Sequence, residues 1–108
     1  MTDNSAPDHS GIDDPDIDAA AEVLAEARQR LAEAPADLVV SNHAMGLYEL
    51  AAIHLTAAPP NLAEAALAID ALGCLVDGLG ERLGENQEVL RDALENIRLA
   101  FVQVKNTL

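Results

Sequence analysis

Hydrophobic residues recur at three- and four-residue steps from residue 17 to the C-terminus, which is the spacing of one face of an α-helix. The pattern breaks at Pro35, at Pro59 and Pro60, and at Gly84. Proline ends helices because its ring fixes φ and removes the N–H donor, and glycine suits a left-handed cap. No window alternates like a strand bounded by turn residues. The pattern therefore predicts an all-α fold with four helices.

Polar residues at the breaks predict where the helices begin. We expect the first helix over residues 17–35 and a bundle domain of three helices over residues 36–108. Asp37 is a candidate N-cap of the second helix, and Asn86 can cap the fourth. Asn61 opens the third helix, and Glu64 three positions later resembles a capping box. The predicted buried stripe of the second helix is Val40, Ala44, Leu47, Ala51 and Leu55.

Short connections between the second, third and fourth helices force neighbouring helices to run antiparallel. The sequence therefore predicts an antiparallel up-down-up helical bundle of three core helices plus an N-terminal helix. The apolar stripe of that N-terminal helix is thin and mostly alanine. Small residues such as Ala66 and Gly73 would also let two copies approach closely, so we favour a homodimer.

The segment before the first helix is acidic and lacks lysine and arginine. Residues 1–16 cannot bury enough apolar surface to offset their ordering entropy, which predicts a disordered acidic tail. Three aspartates at alternate positions, Asp14, Asp16 and Asp18, are reminiscent of a calcium loop. Ala19 stands where that loop needs glycine and Ala25 where it needs glutamate, so we reject calcium.

Composition excludes several function classes. The formal net charge is −13, from 19 acidic and 6 basic residues, so the chain would repel nucleic acid and anionic membranes. Tyr48 and Phe101 are the two aromatic residues, too few for a base-stacking platform. Cys74 is the one cysteine, and no secretory leader or membrane span is predicted. We expect a cytoplasmic protein without a cofactor.

Several short motifs resemble those of the bacterial domain-of-unknown-function family 1844, whose members are small helical proteins. The resemblance covers about residues 37–105. It rests on the pairs His54-Leu55, Asn61-Leu62, Ile69-Asp70, Ile97-Arg98 and Phe101-Val102. The turn at residues 84–87 is longer than the family pattern, and Thr56 stands where the family tends to have glycine. The resemblance implies a helical fold and no assigned activity.

Two histidines and the cysteine are the candidates for chemistry. His43 and His54 stand about 16 Å apart along one helix, too far apart to share a metal. Folding the second helix back on the third places His43 near Cys74 or Leu75, where the pair could form a thiol or zinc site. The competing interpretation is a chance meeting of packed side chains. The same operation places His54 near Glu64 as a surface ion pair.

An ion pair between the third and fourth helices is the main structural candidate. Folding about the turn near Gly84 places Asp70 opposite Arg98, where a carboxylate–guanidinium pair would set the helix register. We expect Asp70 to be substantially buried and the Tyr48 hydroxyl to join this pair. The alternative is that Asp70 or Arg98 faces a binding partner.

The sequence contains no phosphate loop, paired Cys-x-x-Cys or nucleophile elbow, so we do not expect an enzyme. The leading hypothesis is a structural or protein–protein interaction module that binds another protein or itself. One alternative is an acidic adaptor whose N-terminal tail binds a basic protein. The other is a metal or thiol site at His43 and Cys74.

Overall fold

A computed structural model describes residues 15–108, which form four α-helices. They are α1 (Pro15–Glu33), α2 (Ala36–Leu55), α3 (Leu62–Leu79) and α4 (Gln87–Asn106). A 3-10 segment, Gly80–Asn86, links α3 to α4. No strand occurs within residues 15–108, so the prediction of an all-α fold is confirmed for them. The acidic tail expected over residues 1–16 lies outside the described residues, apart from Pro15 and Asp16 at the start of α1.

The chain divides into two compact units, Met1–Ala34 and Pro35–Leu108. The described part of the first unit is α1. Asp16 and Asp18 in its first turn and Arg30 in its last turn complement the helix dipole. None of its residues is buried. Its sequence is rich in alanine and glutamate, which favour helix formation.

The second unit is organised around one apolar core shared by α2, α3 and α4. Each of these helices packs against the other two and against the 3-10 segment. Alanines and a glycine occupy several of the most buried positions, which lets the helix backbones approach closely, while leucines fill the space between them. The buried hydrophobic residues are Ala44, Ala51, Leu55, Ala65, Ala68, Ile69, Leu72, Val76, Leu83, Leu90, Leu94 and Ile97.

The turn between α2 and α3 is closed by hydrogen bonds at Asn61. The Asn61 side chain accepts a hydrogen bond from the backbone N–H of Glu64 at 3.2 Å, so the predicted cap is present. The reciprocal bond of a capping box is not formed, because the Asn61 N–H donates instead to the carbonyl of His54 at 3.0 Å. This bond joins the end of α2 to the start of α3.

The start of α2 differs from the prediction. The helix begins at Ala36 with Pro35 at the N-cap position, so Asp37 lies inside the first turn instead of capping it. Proline is suited to this place because its missing N–H would have no helical partner there. The Asp37 side chain instead contacts Gly84, which has a φ of +66°. Gly84 is needed at this position both for its backbone conformation and for the absence of a Cβ.

We predict that Gly84→Ala lowers the free energy of unfolding by about 1–3 kcal/mol, because it forces a positive φ on an L residue. A Cβ there would also collide with the Asp37 carboxylate. The matched control is Gly46→Ala in the middle of α2, where a Cβ meets no atom within 4 Å. That change should raise stability by about 0.5–1 kcal/mol. Urea denaturation of both variants checks the prediction, and an unchanged Gly84→Ala protein would contradict it.

Candidate functional site

No hydrogen bond joins His43 and Cys74 in this structure. His43 is exposed on α2, and Cys74 is a free, exposed cysteine on α3. No hydrogen bond or ion pair involves either side chain within the described part of the chain. The exposure of both side chains fits separate surface positions better than a thiol paired with its base.

Metal-binding side chains are also dispersed. Within residues 15–108, no group of three or more His, Cys, Asp or Glu side chains is arranged to hold a metal ion. His54 is half-buried near the end of α2, while Glu64 is exposed in the first turn of α3. The ion pair expected between His54 and Glu64 is not formed. Glu64 contributes its backbone N–H to the helix cap instead.

Asp70 and Arg98 line the same groove between α3 and α4, as the sequence predicted from their register. The groove is a cavity of about 210 Å³. Its lining residues are Ala66, Ile69, Asp70, Arg98, Phe101 and Val102. Two expectations are wrong: Asp70 is exposed, and no ion pair joins it to Arg98. The groove thus presents one acidic and one basic side chain that are not neutralised by each other.

The position of Arg98 has a local cause. Its guanidinium lies against α3 at Gly73, where an added Cβ would stand 2.8 Å from Nη2. The same Cβ would be 3.8 Å from a methyl group of Leu94, so this glycine lets α4 pack closely on α3. Arg98 therefore lies directly on the α3 backbone at Gly73, which has no side chain, and Arg98 remains exposed to solvent.

Tyr48 makes a different contact from the one expected. Its hydroxyl donates a hydrogen bond to Oδ1 of Asn96 on α4 at 3.2 Å and is not part of a network with Asp70. Tyr48 lies on the side of α2 that faces α4. Folding one helical hairpin at a time does not reveal this contact, because α2 and α4 are not consecutive. The bond links the two helices across the bundle.

Ser41 is a buried polar residue that the sequence pattern did not single out. It lies in α2 at 5% exposure, and its hydroxyl has no hydrogen-bond partner. A buried hydroxyl without a partner costs free energy, since its bonds to water are lost and not replaced. Its position, three residues before Ala44, places it on the core face of α2.

The exposed side of α2 carries several large apolar side chains beside the polar residues Asn42, His43 and Glu49. Among its 20 residues α2 has two carboxylates, Asp37 and Glu49, and neither lysine nor arginine. Here one side packs on α3 and α4, and several large apolar side chains remain in solvent. The exposed residues of this kind, which we call the α2 face, are Leu38, Met45, Leu50 and Ile53.

None of the helices within residues 15–108 combines the length and the apolar character needed to cross a membrane.

No family model matches the chain, and no curated protein and no solved structure matches it.

We predict that Ser41→Ala raises the free energy of unfolding by about 1 kcal/mol or more, because it removes the buried hydroxyl without a partner. The neighbouring change Asn42→Ala is the control. Asn42 is exposed, so that change reports helix propensity alone, a gain of about 0.5 kcal/mol. Thermal unfolding of both variants checks the prediction. A Ser41→Ala protein less stable than the parent would show that the hydroxyl has a stabilising partner.

Proposed function

We propose that this protein is a cytoplasmic, non-enzymatic interaction module that binds another protein through the α2 face. The observation that carries the proposal is the exposure of Leu38, Met45, Leu50 and Ile53 on a helix with few charges. Exposed apolar groups concentrated on one surface are typical of protein-binding sites. Burying such a side chain contributes about 1.5–3 kcal/mol, so a few of them can anchor a complex.

Gly46 supports the same surface. It is exposed on α2, and the space around its missing Cβ is open to 4 Å. Leu50 and Ile53 follow it by four and seven residues, which places all three on one side of the helix. A glycine in the middle of a helix lowers helix stability. A partner that packs directly on the α2 backbone would give this glycine a role.

The proposal includes the antiparallel up-down-up course of α2, α3 and α4. One support is the hydrogen bond between Asn61 and His54, which joins the end of α2 to the start of α3. Another is the contact of Asp37, near the start of α2, with Gly84 beyond the end of α3. Along α3 and α4, Ala66 shares a groove with Val102 while Gly73 lies close to Leu94, as antiparallel neighbours would. Kinship with family 1844 over residues 37–105 stays a prediction.

The proposal gives the protein no catalytic role. The side chains that could carry chemistry stand on separate exposed positions: His43 on α2, and Asp70 and Cys74 on α3. General acid–base and nucleophilic catalysis need such groups within hydrogen-bond reach of each other.

The alternative function is an acidic adaptor that binds a basic protein, and this hypothesis rests on the aspartates of residues 1–16.

We expect the full chain to capture one partner from lysate of the source cells at both low and moderate salt. The double variant Leu50→Glu, Ile53→Glu should lose that partner, because two carboxylates would be desolvated in an apolar contact. The control is Val89→Glu, which places a carboxylate at an exposed apolar position of α4 outside the α2 face and should retain the partner. Captured proteins are identified and quantified by mass spectrometry.

Equal capture by the parent and the double variant would rule out the α2 face as the binding surface. A chain without residues 1–14 separates the adaptor hypothesis. Capture that needs those residues and disappears at moderate salt would indicate binding by the acidic tail, because exposed charges are screened by salt.

A further inference from the structure

Five of the nine charged residues on α3 and α4 fall in two rows of opposite sign, and the other four are acidic. Asp70 and Asp77 on α3 form the acidic row, and Arg91, Arg98 and Lys105 on α4 form the basic row. Members of each row are seven residues apart, which places them on one helix face about 10 Å from each other. All five are exposed. In a chain with only 6 basic residues, half of them stand in the basic row.

One member of each row lines the same groove, and the antiparallel register sets two members of each row at matching heights. Asp70 and Arg98 line the groove together. With α3 and α4 antiparallel, one heptad forward on α3 is one heptad back on α4, so Asp77 is level with Arg91. Neither row is neutralised internally, since no ion pair involves any of these residues within the described part of the chain.

Apolar side chains surround the charged rows. Leu67 on α3 is 66% exposed, and Leu99 and Val102 on α4 are 58% and 50% exposed. With the groove itself, they form a surface that combines exposed apolar groups with charged side chains. We call this surface the α3/α4 face.

The size of the groove favours a protein side chain over a small-molecule ligand. The cavity measures about 210 Å³. Ligand pockets usually measure about 300–1,000 Å³ and enclose most of the ligand. A groove of this size, with an aromatic residue and a valine at its edge, accommodates one apolar side chain from a neighbouring helix.

We propose that the α3/α4 face binds a second copy of this chain about a two-fold axis parallel to the helices. Such an axis places α3 against the partner's α4 and leaves every residue at its original height. Asp70 then meets the partner's Arg98, and Asp77 meets the partner's Arg91, each pair occurring twice by symmetry. The product is a four-helix contact between antiparallel neighbours.

Self-complementarity is the reason for choosing a second copy over an unrelated protein. An acid on α3 and a base on α4 stand at equal heights. A two-fold rotation therefore brings the acid of one copy opposite the base of the other, and the reverse pair forms at the same time. An unrelated partner would have to carry the same pattern independently. The inference depends on the proposed antiparallel course of α3 and α4 and does not depend on the α2 face, so the two binding proposals fail separately.

The test is sedimentation equilibrium of the full chain and of charge-reversed variants, from about 1 μM to about 1 mM. We expect the parent to dimerise. Asp70→Arg and Arg98→Asp should each weaken the dimer about tenfold or more, because each places like charges opposite one another at two symmetric sites. The control Glu49→Arg makes the same charge change as Asp70→Arg at an exposed position on α2 and should leave dimerisation unchanged.

The decisive measurement is whether a second, compensating charge reversal restores the dimer that a single reversal weakens. An equimolar mixture of Asp70→Arg and Arg98→Asp chains should form heterodimers, because arginine then meets aspartate at both sites. The double variant Asp70→Arg, Arg98→Asp should dimerise with itself for the same reason. If charge reversal lowers helicity by circular dichroism, Asp70→Asn and Arg98→Gln replace it, and each should weaken the dimer to a smaller extent.

Three results would overturn the proposal. The first is a parent chain that stays monomeric over the whole concentration range. The second is a dimer that the folded variants at positions 70 and 98 leave intact, which would place the interface elsewhere. The third is a dimer that the single reversals disrupt and that neither the mixture nor the double variant restores.

Discussion

Close approach of helix backbones is the constraint on which the Pro35–Leu108 unit depends. Its two aromatic residues, Tyr48 and Phe101, are only partly buried, so aliphatic side chains must fill the core. Alanine at positions such as 44, 51 and 65, with Gly73 facing α4, brings the helices near enough for leucines to interlock. Dispersion contacts at this density, together with apolar burial, hold the three helices together.

A small core of this kind leaves apolar residues outside it. Each of three packed helices can bury only the side that faces the others, and α2 has apolar residues on every side. The α2 face and the α3/α4 face are what remains after the core is complete. They are the surfaces that we propose bind another protein and a second copy of the chain.

Much of the fold could be predicted from the sequence. Periodicity indicated all four helices and most of the buried stripe, and the Asn61 cap was predicted from its position before Glu64. Helix starts were less predictable: Asp37 has the chemistry of an N-cap, but Pro35 takes the cap position and frees Asp37 to contact Gly84. Such a choice depends on the neighbouring 3-10 segment, which local sequence does not describe.

The candidate site was predicted less completely, for a geometrical reason. Folding consecutive helices onto each other correctly placed Asp70 and Arg98 at one groove. It could not place Tyr48 beside Asn96, since that contact joins α2 to α4 across the bundle. It also could not reveal that Asp70 is exposed, because exposure depends on where a side chain sits around the helix and not on its height along it.

The central claim is that the surfaces proposed for binding are separate from the core that holds the fold. Urea denaturation of a chain carrying Ile53→Glu and Leu99→Glu tests it most directly, at a concentration where the chain is monomeric. The account predicts a free energy of unfolding within about 1 kcal/mol of the parent, as for other surface substitutions. A loss of about 3 kcal/mol or more would contradict it, because that is the size of effect expected when core residues are replaced.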